Sequence, residues 1–126
     1  MRLGWPALWF VLAGAASGGT GSPILQAPRT AANRLSPLRG GPQDERAGAK
    51  LYARECSACH GRDRQGIGKA PSLNRSAVQS AAPGVLFWVL RNGSLHRGMP
   101  SFAHLPEEER WQLICFLKKA SEKDRQ

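Results

Sequence analysis

With 126 residues, the chain is long enough for one domain. Its 18 basic and 9 acidic residues give a formal net charge of +9, which fits an acidic protein partner or an anionic membrane surface. The sequence contains no nucleic-acid recognition motif, so we expect no nucleic-acid partner.

Residues 1–16 have the pattern of a secretory signal peptide. Arg2 precedes the apolar run Leu3–Ala16, and Ala13-Gly14-Ala15 offers a cleavage site of the A-x-A type. This run is interrupted by Pro6 and is short for a membrane span, which needs about 20 residues. The pattern therefore predicts export to the periplasm or another extracytoplasmic compartment. The alternative is an uncleaved anchor that would hold the chain at a membrane.

Residues 17–43 have the composition of a disordered linker. They contain four prolines and three arginines but no acidic residue, and such low hydrophobicity with uncompensated charge is typical of disorder. The folded domain is therefore expected over residues 44–126, where 14 basic and 9 acidic residues leave a charge of +5. A domain of this size buries a limited core and often depends on a bound group.

The folded part predicts three main helices and no convincing strand, so the fold class is all-α. The first helix is expected over Asp44–Cys56, capped by Asp44, and Gly48 in its interior suggests close approach of another helix. The second is expected over Pro83–Asn92 and is apolar nearly all round, which implies burial. The third is expected to begin at Pro106, with acidic residues in its first turn. Its inward stripe consists of Leu113, Ile114 and Leu117.

The third cysteine of the chain, Cys115, falls on the side of the last helix opposite this stripe. Trp111 lies one turn earlier on the same side. The plain interpretation is a partly covered thiol and an indole that lies on the surface or under a neighbouring loop. Because tryptophan is enriched at interfaces, the sequence also predicts that the segment 17–43 or a partner covers this face.

The stretch ARECSACHGRD places Cys56, Cys59 and His60 within five positions. A redox dithiol, a zinc site, a structural disulfide and a covalent haem anchor are the alternatives. A thioredoxin-like dithiol belongs at a helix N-terminus in a βαβ unit, and a zinc site needs a second ligand pair, which the sequence lacks. Two cysteines one helical turn apart suit the two vinyl groups of a porphyrin, and the next histidine can bind iron. The motif therefore predicts one haem c, attached through both cysteines and bound by His60.

Met99 is the candidate for the second axial ligand of that iron. It lies in the loop segment RGMPSF and is the only methionine that remains after removal of the signal. A lone methionine more often fills a gap in the core, but in a chain that holds haem its thioether favours iron ligation. The competitors are His96 and His104, which we expect at the loop surface.

Five segments in this order, GAKLYARECSACHG, APSLN, LFWVLRNG, GMPSF and LICFLKKA, resemble the bacterial class I, mono-haem cytochrome c family. The resemblance covers about residues 44–124. It implies a small cytochrome c fold, with three main helices and loops wrapped around one covalent haem. It also implies that the first and last helices cross where Gly48 and Tyr52 meet Leu113 and Phe116.

The resemblance assigns further roles around the haem. The backbone carbonyl of Pro71 would accept the proton on the second ring nitrogen of His60, which fixes the orientation of the ring. Trp88, Arg91 and Asn92 are candidates for hydrogen bonds to the haem propionates. For Trp88, plain packing in the core is an equal alternative.

The ligand set predicts an electron-transfer protein and not an enzyme. With His60 and Met99 both bound, the iron has no open position for a substrate. The chain would pass single electrons as a soluble carrier or as the haem subunit of a periplasmic dehydrogenase or oxidase chain. Its redox partners would present an acidic docking surface. The alternative is a haem enzyme subunit or gas sensor, for example of the thiosulfate-oxidation type, with a displaceable sixth ligand.

Overall fold

The computed structural model describes residues 21–123, and the side chains of residues 21–118. The predicted signal, residues 1–16, lies outside the described residues. The helices are α1 (Pro23–Gln26), α2 (Pro42–Glu55), α3 (Ser57–His60), α4 (Ser76–Ser80), α5 (Pro83–Asn92) and α6 (Glu107–Lys123), with 3₁₀ turns at Arg29–Asn33 and Leu95–Arg97. Between residues 21 and 123 there is no strand, only two isolated β-bridges, which confirms the all-α class. None of these helices has the length and apolar character to cross a membrane.

The three long helices lie close to their predicted positions. Helix α5 has the predicted bounds, and α6 begins one residue after Pro106. Helix α2 begins earlier than expected, because Gly41 takes the N-cap position and Pro42 begins the helix. Proline suits the first helical position, since its fixed φ is already helical. Asp44 is therefore not the cap but lies in the first turn, where its charge favours the positive helix end.

Helices α2 and α6 cross in direct contact at Gly48. A Cβ atom on Gly48 would overlap the carbonyl of Gln112 and lie 2.8 Å from the Cβ of Phe116. One turn further along α2, the ring centroid of Tyr52 is 5.3 Å from that of Phe116. Leu113 is fully buried in the same core cluster as Tyr52. The predicted crossing is confirmed, and the α6 backbone is what requires glycine at position 48.

The centre of the core is an aromatic pair between α5 and α6. Phe87 and Trp111 stack with ring centroids 4.3 Å apart, and each is 1 % exposed. Trp111 therefore belongs to the core and not to a separate outer surface. Helix α6 is buried on the Trp111 side as well as on the side of Leu113, Ile114 and Leu117. The predicted inward stripe therefore included too few of its buried residues.

The segment 21–41, which we call the arm, differs from the disordered linker predicted for residues 17–43. It contains α1 and a 3₁₀ turn, and it packs along α5. A Cβ atom on Gly84 would overlap the carbonyl of Ala31, so the arm backbone lies directly on the first turn of α5. Ile24 and Leu38 pack against the core. Composition misses these contacts because a few well-spaced apolar residues are enough to attach a short segment.

Two further contacts attach the arm to α6. The Arg34 guanidinium donates to both carboxylate oxygens of Glu107 at 2.9 Å and stands 4.1 Å from the ring centroid of Phe87. Further along, Gly40 approaches Cys115, whose Sγ would be 3.9 Å from a Cβ on that glycine. The sequence predicted that this segment or a partner covers the Cys115 face, and in the structure the arm lies against it.

Candidate functional site

The Cys56–His60 motif forms a tight turn at the end of α2. Helix α2 ends at Glu55, and Cys56 is its C-cap. The backbone carbonyl of Cys56 accepts hydrogen bonds from the amides of Cys59, at 3.2 Å, and His60, at 2.9 Å. Cys56 packs against the core, while Cys59 is exposed. The turn therefore brings one inner and one outer thiol together, with the histidine directly behind them.

The surroundings of the cysteines speak against a redox dithiol and a zinc site. Burial raises the pKa of Cys56 to about 12, and the nearby Glu55 adds to the increase. A reactive dithiol needs a lowered thiol pKa, so Cys56 has the opposite character. Within the part of the chain that the structure describes, no three Cys, His, Asp or Glu side chains come together as metal ligands. A four-ligand zinc site is therefore not formed around this motif.

The imidazole of His60 is oriented by the backbone of Pro71. His60 Nδ1 lies 2.8 Å from the Pro71 carbonyl oxygen, the contact that the family resemblance implied. A carbonyl only accepts, so Nδ1 carries the proton and donates. In the neutral imidazole, Nε2 is then the nitrogen able to bind a metal ion, and the hydrogen bond holds the orientation of the ring.

Gly66 makes this hydrogen bond possible by reversing the loop between His60 and Pro71. Its amide donates to the His60 carbonyl at 2.8 Å, and its φ of +87° is a left-handed conformation that favours glycine. A Cβ atom there would lie 2.8 Å from the Pro71 carbonyl carbon. Sequence reasoning missed Gly66. Its only signal is the glycine-rich spacing of GRDRQGIG, which does not say which glycine is essential.

The Met99 loop is closed by a short β-bridge. The Ser94 amide donates to the Met99 carbonyl at 2.8 Å, and the Met99 amide donates to the Ser94 carbonyl at 3.1 Å. Gly93 begins this loop with a φ of +65°, and a Cβ there would lie 2.6 Å from the Pro100 carbonyl carbon. Met99 is partly buried against the same core cluster that Cys56 contacts. Cys56 and Met99 therefore pack against the same hydrophobic core cluster.

The two other histidines lie at the surface. His96 is in the 3₁₀ turn Leu95–Arg97, and the ring of His104 lies 6.0 Å from that of Phe102, measured between centroids. Both histidines are exposed. This is the surface position that the sequence predicted for them.

The three candidates for propionate contacts lie at the end of α5. The Asn92 side-chain amide donates to the Trp88 carbonyl at 2.8 Å, so its structural role is local. Trp88 and Arg91 line a cavity together with arm residues, among them Thr30 and Arg34. Their assignment to a haem propionate stays a prediction, since the structure places both side chains beside the arm.

The residues around the two loops fit a haem. The motif provides two thiols and one oriented imidazole, and the second loop provides one thioether; these are the donors of a covalent haem with two axial ligands. Beside Met99, the Ser94 hydroxyl is buried, and no group among residues 21–118 forms a hydrogen bond with it. A buried hydroxyl without a partner is costly, and a haem propionate is an acceptor that would satisfy it. Ser94 has no signal in the sequence, because serine in a glycine-flanked loop is unremarkable.

One comparison with known protein families found a match. The family model described as "Cytochrome C oxidase, cbb3-type, subunit III" matches residues 43–117. The matched range is more than half of the chain and contains Cys56, Cys59, His60, Pro71 and Met99. No curated protein matches the chain.

Proposed function

The chain belongs to this cytochrome c family, and from that premise we propose that it transfers single electrons on one haem c with His60 and Met99 as axial ligands. Membership supports haem-based electron transfer and confirms the resemblance to class I, mono-haem cytochromes c. The observation that carries the ligand assignment is the hydrogen bond from His60 Nδ1 to Pro71. With Nδ1 bound to the Pro71 carbonyl, Nε2 is the ring nitrogen that can bind the iron.

Each residue of the site then has a distinct role. Cys56 and Cys59 would hold the haem through thioethers to its vinyl groups, and the sequence holds a single motif of this kind. Bound haem supplies reversible one-electron chemistry at its iron. His60 would bind that iron through Nε2, and Met99 would bind it through a neutral sulfur, which favours reduced iron and raises the potential. With both positions taken, no site is open for substrate, which is why the proposal is an electron carrier and not an enzyme.

The family description supports one of the two settings considered for the carrier. It names a subunit of a cytochrome c oxidase, so we place this chain as the haem subunit of an oxidase chain in preference to a freely diffusing carrier. The partner would be acidic at its docking surface, because residues 44–126 have a formal charge of +5. Its encounter rate should fall as the Debye length shrinks from about 10 Å at 0.1 M to about 3 Å at 1 M salt.

We also propose that the chain works outside the cytoplasm, in the periplasm or an equivalent compartment. The support is the sequence of residues 1–16, with its single basic residue, apolar run and A-x-A site. If this segment stays uncleaved, the domain would be held at a membrane surface.

A redox titration of the holoprotein tests the proposed function. A reversible one-electron transition, together with no binding of carbon monoxide to the reduced protein, is the expected result. Carbon monoxide binding by the unmodified protein would instead mean an open or displaceable sixth position. That outcome would favour the alternative of a haem enzyme subunit or gas sensor.

A further inference from the structure

A small cavity lies between the arm and α5, apart from the Cys56–His60 turn. Its volume is about 150 Å³, several times the roughly 30 Å³ that one water occupies in the liquid. The arm lines it with Thr30 and Arg34, and α5 lines it with Phe87, Trp88 and Arg91. Two arginines, a threonine and a tryptophan therefore line a space the size of a small molecule, in a groove where Thr30, Arg34 and Arg91 are exposed.

A third guanidinium lies beside this cavity, on α6. Arg110 stands 4.5 Å from the ring centroid of Phe87, and Arg34 stands 4.1 Å from the same centroid. Arg110 is only 6 % exposed, and its Nε and Nη1 groups have no hydrogen-bond acceptor among residues 21–118. A buried donor without an acceptor is costly, more so when it is charged.

The nearby acidic groups do not balance these charges. Burial lowers the pKa of Arg110, Glu107 opposes that decrease, and the positive charges of Arg91 and Arg34 add to it. Glu107 is the carboxylate among these neighbours, and Arg34 already donates to both of its oxygens. Three guanidinium groups with one carboxylate leave a local excess of positive charge beside an apolar ring.

We propose that this cavity binds one small inorganic oxyanion, of the phosphate or sulfate class. Guanidinium groups match the oxygens of such anions, which accept charge-assisted hydrogen bonds. The Arg34 and Arg91 side chains line the space, and the buried charge of Arg110, which also lies over the Phe87 ring, increases the affinity.

Bound oxyanion would also fasten the arm to the domain. Thr30 and Arg34 come from the arm, whereas Arg91 comes from α5, so the ligand bridges the two. Any ligand that binds only the docked form stabilises that form in proportion to its concentration. Exposed Arg29 and Arg39, which flank the arm part of the site, should then be cut more slowly by trypsin when phosphate is present.

The test uses the full-chain holoprotein with inorganic phosphate, against chloride at the same ionic strength. Phosphate should raise the melting temperature with a saturable dependence on concentration and slow tryptic cleavage of the arm. Arg91→Gln should weaken phosphate binding about tenfold or more, as expected for the loss of a charged hydrogen bond. The matched control is Arg46→Gln, an equal change of charge at an exposed position of α2, which should leave phosphate binding unchanged.

Arg110→Met gives a second, independent readout. Without phosphate it should melt at a higher temperature than the unmodified protein, because a buried charge without an acceptor is removed. It should also lose most of the stabilisation by phosphate. Equal effects of phosphate and chloride, or equal binding by Arg91→Gln and Arg46→Gln, would overturn the proposal. The proposal would also be overturned if phosphate does not bind and Arg91→Gln changes the haem potential, because a haem propionate would then occupy the cavity.

Discussion

The loops that carry His60 and Met99 are held in place by different means. On the histidine side, a hydrogen bond reaches the ligand side chain itself, from His60 Nδ1 to Pro71. On the methionine side, the hydrogen bonds join the backbones of Ser94 and Met99, and the Met99 side chain is placed by packing against the core. Hydrogen bonds thus orient the imidazole ring of His60 itself, whereas at Met99 they fix only the backbone.

This difference indicates where the site can change. A ring held by a hydrogen bond resists reorientation, whereas a flexible methionine side chain adapts to its surroundings. Exchange of the sixth ligand is therefore expected on the Met99 side, while His60 stays bound.

The largest effect should come from removal of the covalent attachment. Cys56→Ala combined with Cys59→Ala should give no holoprotein, because so small a core depends on its bound group. Acid–acetone extraction followed by absorbance of the protein fraction measures retained haem. Cys115→Ala is the control and should retain haem like the unmodified chain. Haem extracted from the unmodified protein by the same treatment would contradict covalent attachment.

A pair of glycine substitutions tests the histidine side. Gly66→Ala should destabilise the holoprotein strongly, because its Cβ would press on the Pro71 backbone and break the reversal of the loop. Gly68→Ala is the matched control: its φ is also positive, at +57°, but no atom lies within 4 Å of the point that a Cβ would occupy. The control should lose only the conformational cost of about 1–2 kcal/mol. Denaturant unfolding of both variants measures the difference, and equal losses would refute the proposed role of Gly66.

The same comparison applies to the methionine side, with Gly93 and Gly98. Gly93→Ala should displace the loop, since its Cβ would lie 2.6 Å from the Pro100 backbone, whereas Gly98 at φ +85° faces open space. We therefore expect weaker iron–sulfur ligation in Gly93→Ala, with little change of ligation in Gly98→Ala. Carbon monoxide binding to the reduced proteins is the measurement. If both variants bind it equally, the steric role assigned to Gly93 is wrong.

The smallest effect concerns Tyr52, whose hydroxyl donates to the Gly61 carbonyl at 2.6 Å, next to His60. Burial raises the pKa of Tyr52 from 10.0 to about 12. The folded state therefore holds the Tyr52 proton more tightly than the unfolded state does. The resulting contribution to folding stability is complete below the unfolded pKa of 10.0 and is lost as the pH rises to the folded pKa of about 12. Tyr52→Phe should lose about 1 kcal/mol at neutral pH.

The alkaline slope separates this effect from a simple packing defect. Between pH 10 and 12, unfolding of Tyr52→Phe should depend on pH less steeply than unfolding of the unmodified holoprotein. Parallel slopes would show that Tyr52 ionises as readily in the folded state as in the unfolded one.

Much of the fold was predictable because its signals are local. Proline at the start of α5 and glycine after its end indicated the helix bounds, and the glycine in α2 indicated the crossing with α6. The arm was not predictable in this way. Its attachment combines the packing of Ile24 and Leu38 against the core, a carbonyl of the arm that lies against Gly84, and the pairing of Arg34 with Glu107, 73 positions apart in the chain.

The candidate site likewise contains residues that local sequence signals identify and residues that only the folded structure shows. Cys56, Cys59 and His60 are adjacent in sequence, so their chemistry follows from spacing alone. Pro71 came from the family resemblance, since a carbonyl acceptor has no side-chain signature. Gly66 and Ser94 were missed, because a steric requirement and a buried hydroxyl appear only when the loops are folded.

The visible spectrum of the oxidised holoprotein tests the central claim, ligation by His60 and Met99, most directly. A weak band near the red end reports a bond between iron and a methionine sulfur. We expect this band in the unmodified protein and in the His96→Ala and His104→Ala variants. In Met99→Ala we expect its loss, together with a lower potential and carbon monoxide binding. Absence of the band from the unmodified protein, or its survival in Met99→Ala, would contradict the assignment.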